Sequence, residues 1–239
     1  MDYLARVAQL MAEAADPADA DGLPGRLCAA CVLALDLRGA AISVMTGRAH
    51  GVVLSASDET VGDVQRVQHT LGEGPCVDAF GAGRPVLVGD LAGPEGDRWP
   101  VLAATLAEAP PQVRGVAAFP LGVGGRRMGV LGLYPSDGGS FTGERLAGAW
   151  LAADAASLAL AGSLAGAAAG SGPAPPWLSE PTVDGVVVDQ AVGVVMVQLG
   201  VGPETALARL RAHAFATGRP VDRVAQDVVE RALRFTGED

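Results

Sequence analysis

The chain of 239 residues contains no lysine and no asparagine, and all 17 of its cations are arginine. Together with its many alanines and glycines this is the mark of a GC-rich coding sequence, so the arginines alone do not point to phosphate binding. Aromatic residues make up only 4%, which leaves Ala, Val and Leu to fill any core and argues against a carbohydrate-stacking surface. Three cysteines are too few for a disulfide framework. Three histidines give acid–base chemistry little to work with. G-x-S-x-G, the P-loop and H-E-x-x-H are all absent, so no catalytic residue, metal or cofactor is assigned. No basic start followed by an apolar run opens the sequence, which makes the cytoplasm the default compartment. The run Gly185–Val201 is the one stretch to be mistaken for a membrane span. It carries Asp189 and Gln190 and falls short of the roughly 20 apolar residues a span needs, so it reads as a buried helix and no membrane partner is expected.

What is present describes a folded protein: 49% of residues are hydrophobic and 18% charged. A formal charge of −10 repels nucleic acid at long range, excluding a general polyanion binder but not a local basic patch. The length allows one large or two modest domains. Composition shifts at Gly166–Pro181, which holds four Pro and three Gly and has the chemistry of a linker. Domains of 1–165 and 182–239 follow, with 11 Arg against 18 acids in the first and 6 against 9 in the remainder. A rigid helical lever across such a linker is not expected, so coupling should run through dimerisation or through docking of one domain on the other.

The first domain mixes element types. Helical spacing runs through DYLARVAQLMAEA and LPGRLCAACVLALD, and ETVGDVQRVQHTL is a further amphipathic helix. GAAISVMTG and GVVLSASD form a hairpin around Arg48–His50, and PVLVGD, GVAAFPLGVG and RMGVLGLYP are strands, the last two joined by a tight turn at Gly124–Arg126. An Ala-rich helix from about Thr142 to Leu164 closes the domain. Helices flanking a five- or six-stranded antiparallel sheet give an α+β fold. The second domain reads as three helices, broken at GVGP and TGRP, the third carrying Val221, Val224, Ala225, Val228, Ala232 and Phe235 on one stripe. Apolar residues lie on nearly every side of the first of these helices, which points to self-association through it, with Val192→Glu expected to weaken the association.

LGEGPCVDAFGAGRPVLVGDL, RWP at Arg98–Pro100, FPLGVGGRRMGVLGLYP and FTGERL closely resemble the actinobacterial type of GAF domain. The last 55 or so residues resemble an ANTAR domain, the three-helix RNA-binding module of transcription antiterminators, at Ala191, Gly193 and Met196, at Ala206, Leu210, Arg211 and Ala214, and at Val224 and Ala225. Where the ANTAR pattern usually carries Lys after the first-helix Ala, this chain has Val192. The two resemblances imply a sensor placed before an RNA-binding output, acting as a homodimer on paired hairpin RNA. The cyclic-nucleotide signature of the GAF family includes Asn and Lys, both absent here. Only His50, His69 and Cys76 are available to hold haem or bilin, none in a site-like spacing.

Two candidate sites follow. GEGPC, at Gly72–Cys76, lets the backbone approach closely and allows Pro75 to start a helix. It either rims a small-molecule pocket with Glu73, Cys76 and Trp99 or is simply a structural turn. Taking Leu207, Leu210 and Ala214 as the buried stripe of the second ANTAR-like helix, Arg211 and Phe215 stand at i and i+4. A guanidinium and a ring so placed hold an unstacked loop base, while packing against another helix is the alternative for Phe215. Arg209 with His213, and Arg219 with Arg223, form two further columns. Asp227 with Arg231 and Glu230 with Arg234 read as ordinary surface pairs. The RNA-contact set is therefore Arg209, Arg211, His213, Phe215, Arg219 and Arg223. A competing reading is a ligand-gated protein-interaction module whose ANTAR-like domain no longer binds RNA. For Cys28 and Cys31, three apart on one helical face, no second Cys pair or close His pair completes a zinc site. They read as small core side chains, with a redox sensor as the alternative.

Overall fold

The computed structural model describes residues 2–16, 22–45, 51–107, 113–136, 141–169 and 182–236, with side chains from 187 onward in the last stretch. Strands β1 (Leu37–Met45), β2 (Gly51–Ala56), β3 (Val86–Val88), β4 (Val116–Val123) and β5 (Arg126–Pro135) form one sheet in the order β2-β1-β5-β4-β3. Every neighbouring pair is antiparallel, five strands in the expected α+β arrangement. The hairpin turn expected at Arg48–His50 lies outside the described residues.

Both faces of the sheet are covered, and the strand sequences show why. Along β4, Ala117, Phe119 and Leu121 point to one core while Val116 and Ala118 point to the other. The period-2 alternation is thus apolar on both sides, which makes these strands near-continuous hydrophobic runs. One face packs against α1 (Tyr3–Ala14), α2 (Leu23–Leu35) and α6 (Gly143–Ala168). The other packs against α3 (Glu59–Leu71), α4 (Pro75–Ala82) and α5 (Pro100–Ala107).

Helix α6 is, among the described residues, the one long and apolar enough by itself to cross a membrane. Its Ala149, Ala152, Ala153 and Ala156 are buried in the sheet-packing core. It extends to Ala168, into the segment read as linker, whose remainder from residue 170 lies outside the described residues.

The C-terminal helices are α7 (Thr182–Leu199), α8 (Pro203–Thr217) and α9 (Val221–Val229). Pro203 at the first position of α8 and Gly218 in the left-handed conformation after it are the punctuation expected from GVGP and TGRP. Val188, Ala191, Val195, Ala206, Leu210, Ala214, Val224, Ala225 and Val228 form the core. Two expectations are corrected here. The third helix stops at Val229, and Arg231 turns back at φ 63°, with the amides of Ala232 and Leu233 both donating to the Asp227 carbonyl. Ala232 is therefore exposed. Phe235 still reaches the core, because its amide donates to Gln198 Oε1 at 2.9 Å and pins the tail to α7. Secondly, Val192 packs against this domain's own core, so Val192→Glu strikes the bundle itself and does not test association alone. Among the described side chains of α7, Val197 is the large apolar one left bare, 86% exposed.

Candidate functional site

In the first domain, α3 carries polar side chains on the face it turns to the sheet. Asp58 caps the helix, its Oδ1 accepting from the Val61 amide at 2.9 Å, and this sets the rotation that buries Val61 and Val64 beside Gln65, Gln68 and His69. These meet Ser43 of β1, Cys76 of α4 and Tyr134 of β5 in a buried polar nest. The Tyr134 hydroxyl donates to Gln65 Oε1 at 2.7 Å, and Gln65 Nε2 donates to Ser43 Oγ at 3.1 Å. His69 Nε2 lies 2.9 Å from the same Ser43 oxygen. The Cys76 amide donates to Gln68 Oε1 at 3.0 Å. Buried groups so linked rigidify the helix–sheet contact, because each would be costly to leave unpaired.

All three residues expected at the ligand rim come to this corner, each already engaged. Glu73 Oε1 accepts from the Leu102 amide at 2.7 Å, satisfying one of the open donors at the start of α5. Trp99 is buried, its indole donating to Asp78 Oδ2 at 3.2 Å while the Arg98 guanidinium lies 4.4 Å over its ring. Cys76 is fully buried, and Gln68 fills the space before Gly74, whose φ of +134° only glycine adopts readily. GEGPC is therefore both a structural turn and a wall of the nest. The sequence reading missed Ser43, Gln65, Gln68 and Tyr134.

Burial also decides the cysteines. It pushes the Cys28 and Cys76 thiols up to about 12 and raises Cys31 as well. At pH 8 a thiol titrating near 12 is thiolate in only about one molecule in 10⁴. Native protein treated with iodoacetamide at pH 8 is expected to keep all three thiols, and to lose them once denatured. Rapid native alkylation of Cys28 or Cys31 would return the redox reading. Among the described residues no three of His, Cys, Asp and Glu gather as a metal site.

On the second domain the candidate RNA-contact residues fall into distinct environments. Arg209 is exposed, and Phe215 is 49% exposed. His213 stands edge-on to Phe235, ring centroids 5.5 Å apart. Arg219 Nη1 pairs with Asp227 Oδ2 at 2.7 Å, and Arg223 Nε lies 3.9 Å from Asp222. The expected pairing of Asp227 with Arg231 is thus replaced, since Arg231 lies beyond the end of α9, and Glu230 accepts from Gln226 at 2.9 Å. Arg211 is half-buried, its guanidinium against Gly72 at the end of α3 in the first domain. Desolvation there lowers it to about 10. Beside it an open cavity of about 400 Å³ lies between Val67, Thr70 and Leu71 on one side and Ala214, Phe215 and Arg219 on the other.

Residues 17–161 match the GAF domain family and residues 183–229 match the ANTAR domain. Among solved structures, the GAF domain of a phosphoenolpyruvate-protein phosphotransferase from Coxiella burnetii is 16% identical with a TM-score of 0.54, covering 70% of this chain and 98% of its own. The corresponding Acinetobacter domain is 14% identical with a TM-score of 0.53, covering 69% and 98%. At these identities the likeness is one of fold. No curated protein matches. GAF domains are sensors that bind small molecules, and ANTAR domains are RNA-binding modules of antitermination regulators; both are regulatory rather than catalytic. The chain belongs to the GAF domain family and carries an ANTAR domain behind it, the make-up of a GAF plus ANTAR regulator.

Proposed function

We propose that this protein is a cytoplasmic regulator whose C-terminal domain, residues 182–239 beyond a linker at 166–181, binds hairpin leader RNA and promotes transcription past a terminator under control of the domain at 1–165. The observation that carries the reading is the half-exposed Phe215 ring on a helix of an ANTAR-matching bundle, one turn from Arg211 and close to Arg219 and Arg223 at the α8–α9 corner. A ring and a guanidinium at i and i+4 present a stacking face and a phosphate contact to a splayed loop base. Arg209 and His213 supply the second column of contacts. Two paired hairpins call for two copies of the module, so the active form is a homodimer. Exposed Leu33, Trp150 and Leu158 on α2 and α6 offer apolar surface for it.

The input side is the corner where Glu73, Cys76 and Trp99 border the polar nest. A small molecule entering there competes with Gln65 and Gln68 for partners they already hold. In vitro transcription of a template with a two-hairpin leader before a terminator tests the reading: read-through rises with added protein, and unchanged read-through at saturating protein overturns it.

The ion pairs of Arg219 and Arg223 with acidic neighbours favour a second reading, a ligand-gated protein-interaction module. Salt separates the two. Arginine displaces counterions from RNA, giving a slope of about −0.7 in log K per contacted phosphate on single strands, whereas a module without RNA contacts has no such slope.

A further inference from the structure

We propose that helix α3 of the GAF domain latches the ANTAR domain through Arg211, so that in this arrangement the face carrying Arg211 and Phe215 is held by the protein's own sensor. The consequence for RNA rests on the function proposed above; the latch itself rests on the contact between the domains.

The last carbonyls of a helix lack intrahelical partners and carry the negative end of its dipole, so a guanidinium is favoured there. Arg211 meets that end of α3. Gly72 closes the helix at φ +68°, and an added Cβ there would collide with the Arg211 guanidinium. Only the missing side chain lets the cation lie flush with the cap. Next to this contact Val67 and Leu71 face Phe215 across the cavity of about 400 Å³ instead of packing on it. Between α3 and α8 the contact is thus Arg211 at the cap beside an unfilled cavity, while α7 also meets β2; a small interface of this kind between domains can open.

Gln68 joins the latch to the interior of the sensor. Its carbonyl accepts from the Gly72 amide at 2.8 Å, fixing the cap beneath Arg211, while its side-chain oxygen accepts from the Cys76 amide at 3.0 Å in the polar nest. A change that draws Gln68 away from Cys76 acts on the same residue that holds the Gly72 turn. Sensor state and latch are thus one residue apart, and α3 and a loop base compete for one guanidinium.

The test uses the full-length chain and reads the latch without RNA. Phenylglyoxal modification followed by mass spectrometry should label Arg211 at least about tenfold more slowly than exposed Arg209. Gly72→Ala pushes a methyl into the guanidinium, and Thr70→Arg sets a second cation on the α3 side of the cavity without touching the cap. Should Gly72→Ala disturb α3, as circular dichroism would show, Thr70→Arg carries the test. In the opened variants Arg211 should label as fast as Arg209, and affinity for a two-hairpin RNA should rise at least about fivefold, the shift expected when a closed form holds most of the population. Equal labelling of Arg211 and Arg209 in the wild type overturns the latch. So does RNA affinity unchanged by opening in a wild type that binds RNA. Protection lost on opening, with no form binding RNA, upholds the latch and overturns the RNA function instead.

Discussion

Replacing Arg211 and Phe215 together with alanine is expected to lower the affinity for two-hairpin RNA by between about sixfold and about 2,000-fold. This is a loss of about 30-fold to 10⁴-fold in contacts, offset by the roughly fivefold gain from opening the latch. Stacking of one base on an aromatic ring is worth about 1–3 kcal/mol by alanine substitution, and loss of a charge-assisted phosphate contact is worth about as much. Contacts to a single base are coupled, so the sum is an upper bound. The substitution spares the bundle, because its core is built from Leu210 and Ala214, with Arg211 and Phe215 on the flank of that stripe and Phe215 half-exposed. Circular dichroism should therefore be unchanged. Arg231 and Arg234 are exposed beyond α9, and alanine at either should shift affinity less than about threefold, as expected of a distant surface charge. Filter binding or fluorescence anisotropy reads both effects. Retention of wild-type affinity by the Arg211/Phe215 variant would remove these residues from the interface.

The second large effect lies in the polar nest. Gln65→Ala should destabilise the GAF domain by about 3–5 kcal/mol, combining a core cavity with stranded polar groups. Gln65 accepts from Tyr134 and from the Cys76 thiol and donates to Ser43. Removing it leaves a fully buried phenol whose proton has nowhere equivalent to go, since burial raises the Tyr134 pKa well above its ordinary value. Set against a typical domain stability of about 5–15 kcal/mol, the loss brings the domain close to unfolding. Urea titration should show a lower midpoint at unchanged slope. Gln65→Leu with Tyr134→Phe should recover most of the loss, because both partners of the shortest hydrogen bond then become apolar without leaving a hole. No recovery would mean that the nest does more than seal the core.

Much of the architecture was legible from periodicity and punctuation. Alternation marked the strands, and the Gly and Pro residues bounding α8 marked its ends, because these signals are local. The polar nest was not read, since Gln65, Gln68 and His69 look solvent-facing in a helix identified by its valines. A signal was nevertheless present: Val61, Val64, Gln65 and Gln68 share one stripe at i, i+3, i+4 and i+7, so a helix that buries the valines must bury the glutamines too. Helix α5 escaped notice because its eight residues PVLAATLA have almost no amphipathic contrast. In α9 the hydrophobic stripe outran the backbone: Phe235 is buried by a returning tail, and spacing alone cannot distinguish that from another helical turn. The position of Arg211 against Gly72 depends on two segments about 140 residues apart, which no local pattern reports. Its place on the flank of the α8 stripe was readable, and its partner was not.

The most direct test of RNA recognition is an anisotropy titration of the full-length protein with a two-hairpin RNA and with an unstructured RNA of equal length, each at several salt concentrations. Tighter binding to the two-hairpin RNA is expected, with log K falling against log salt at a slope of about −2 or steeper if three or more arginines meet phosphates. Equal, weak binding to both RNAs, with no such dependence on salt, would contradict the account.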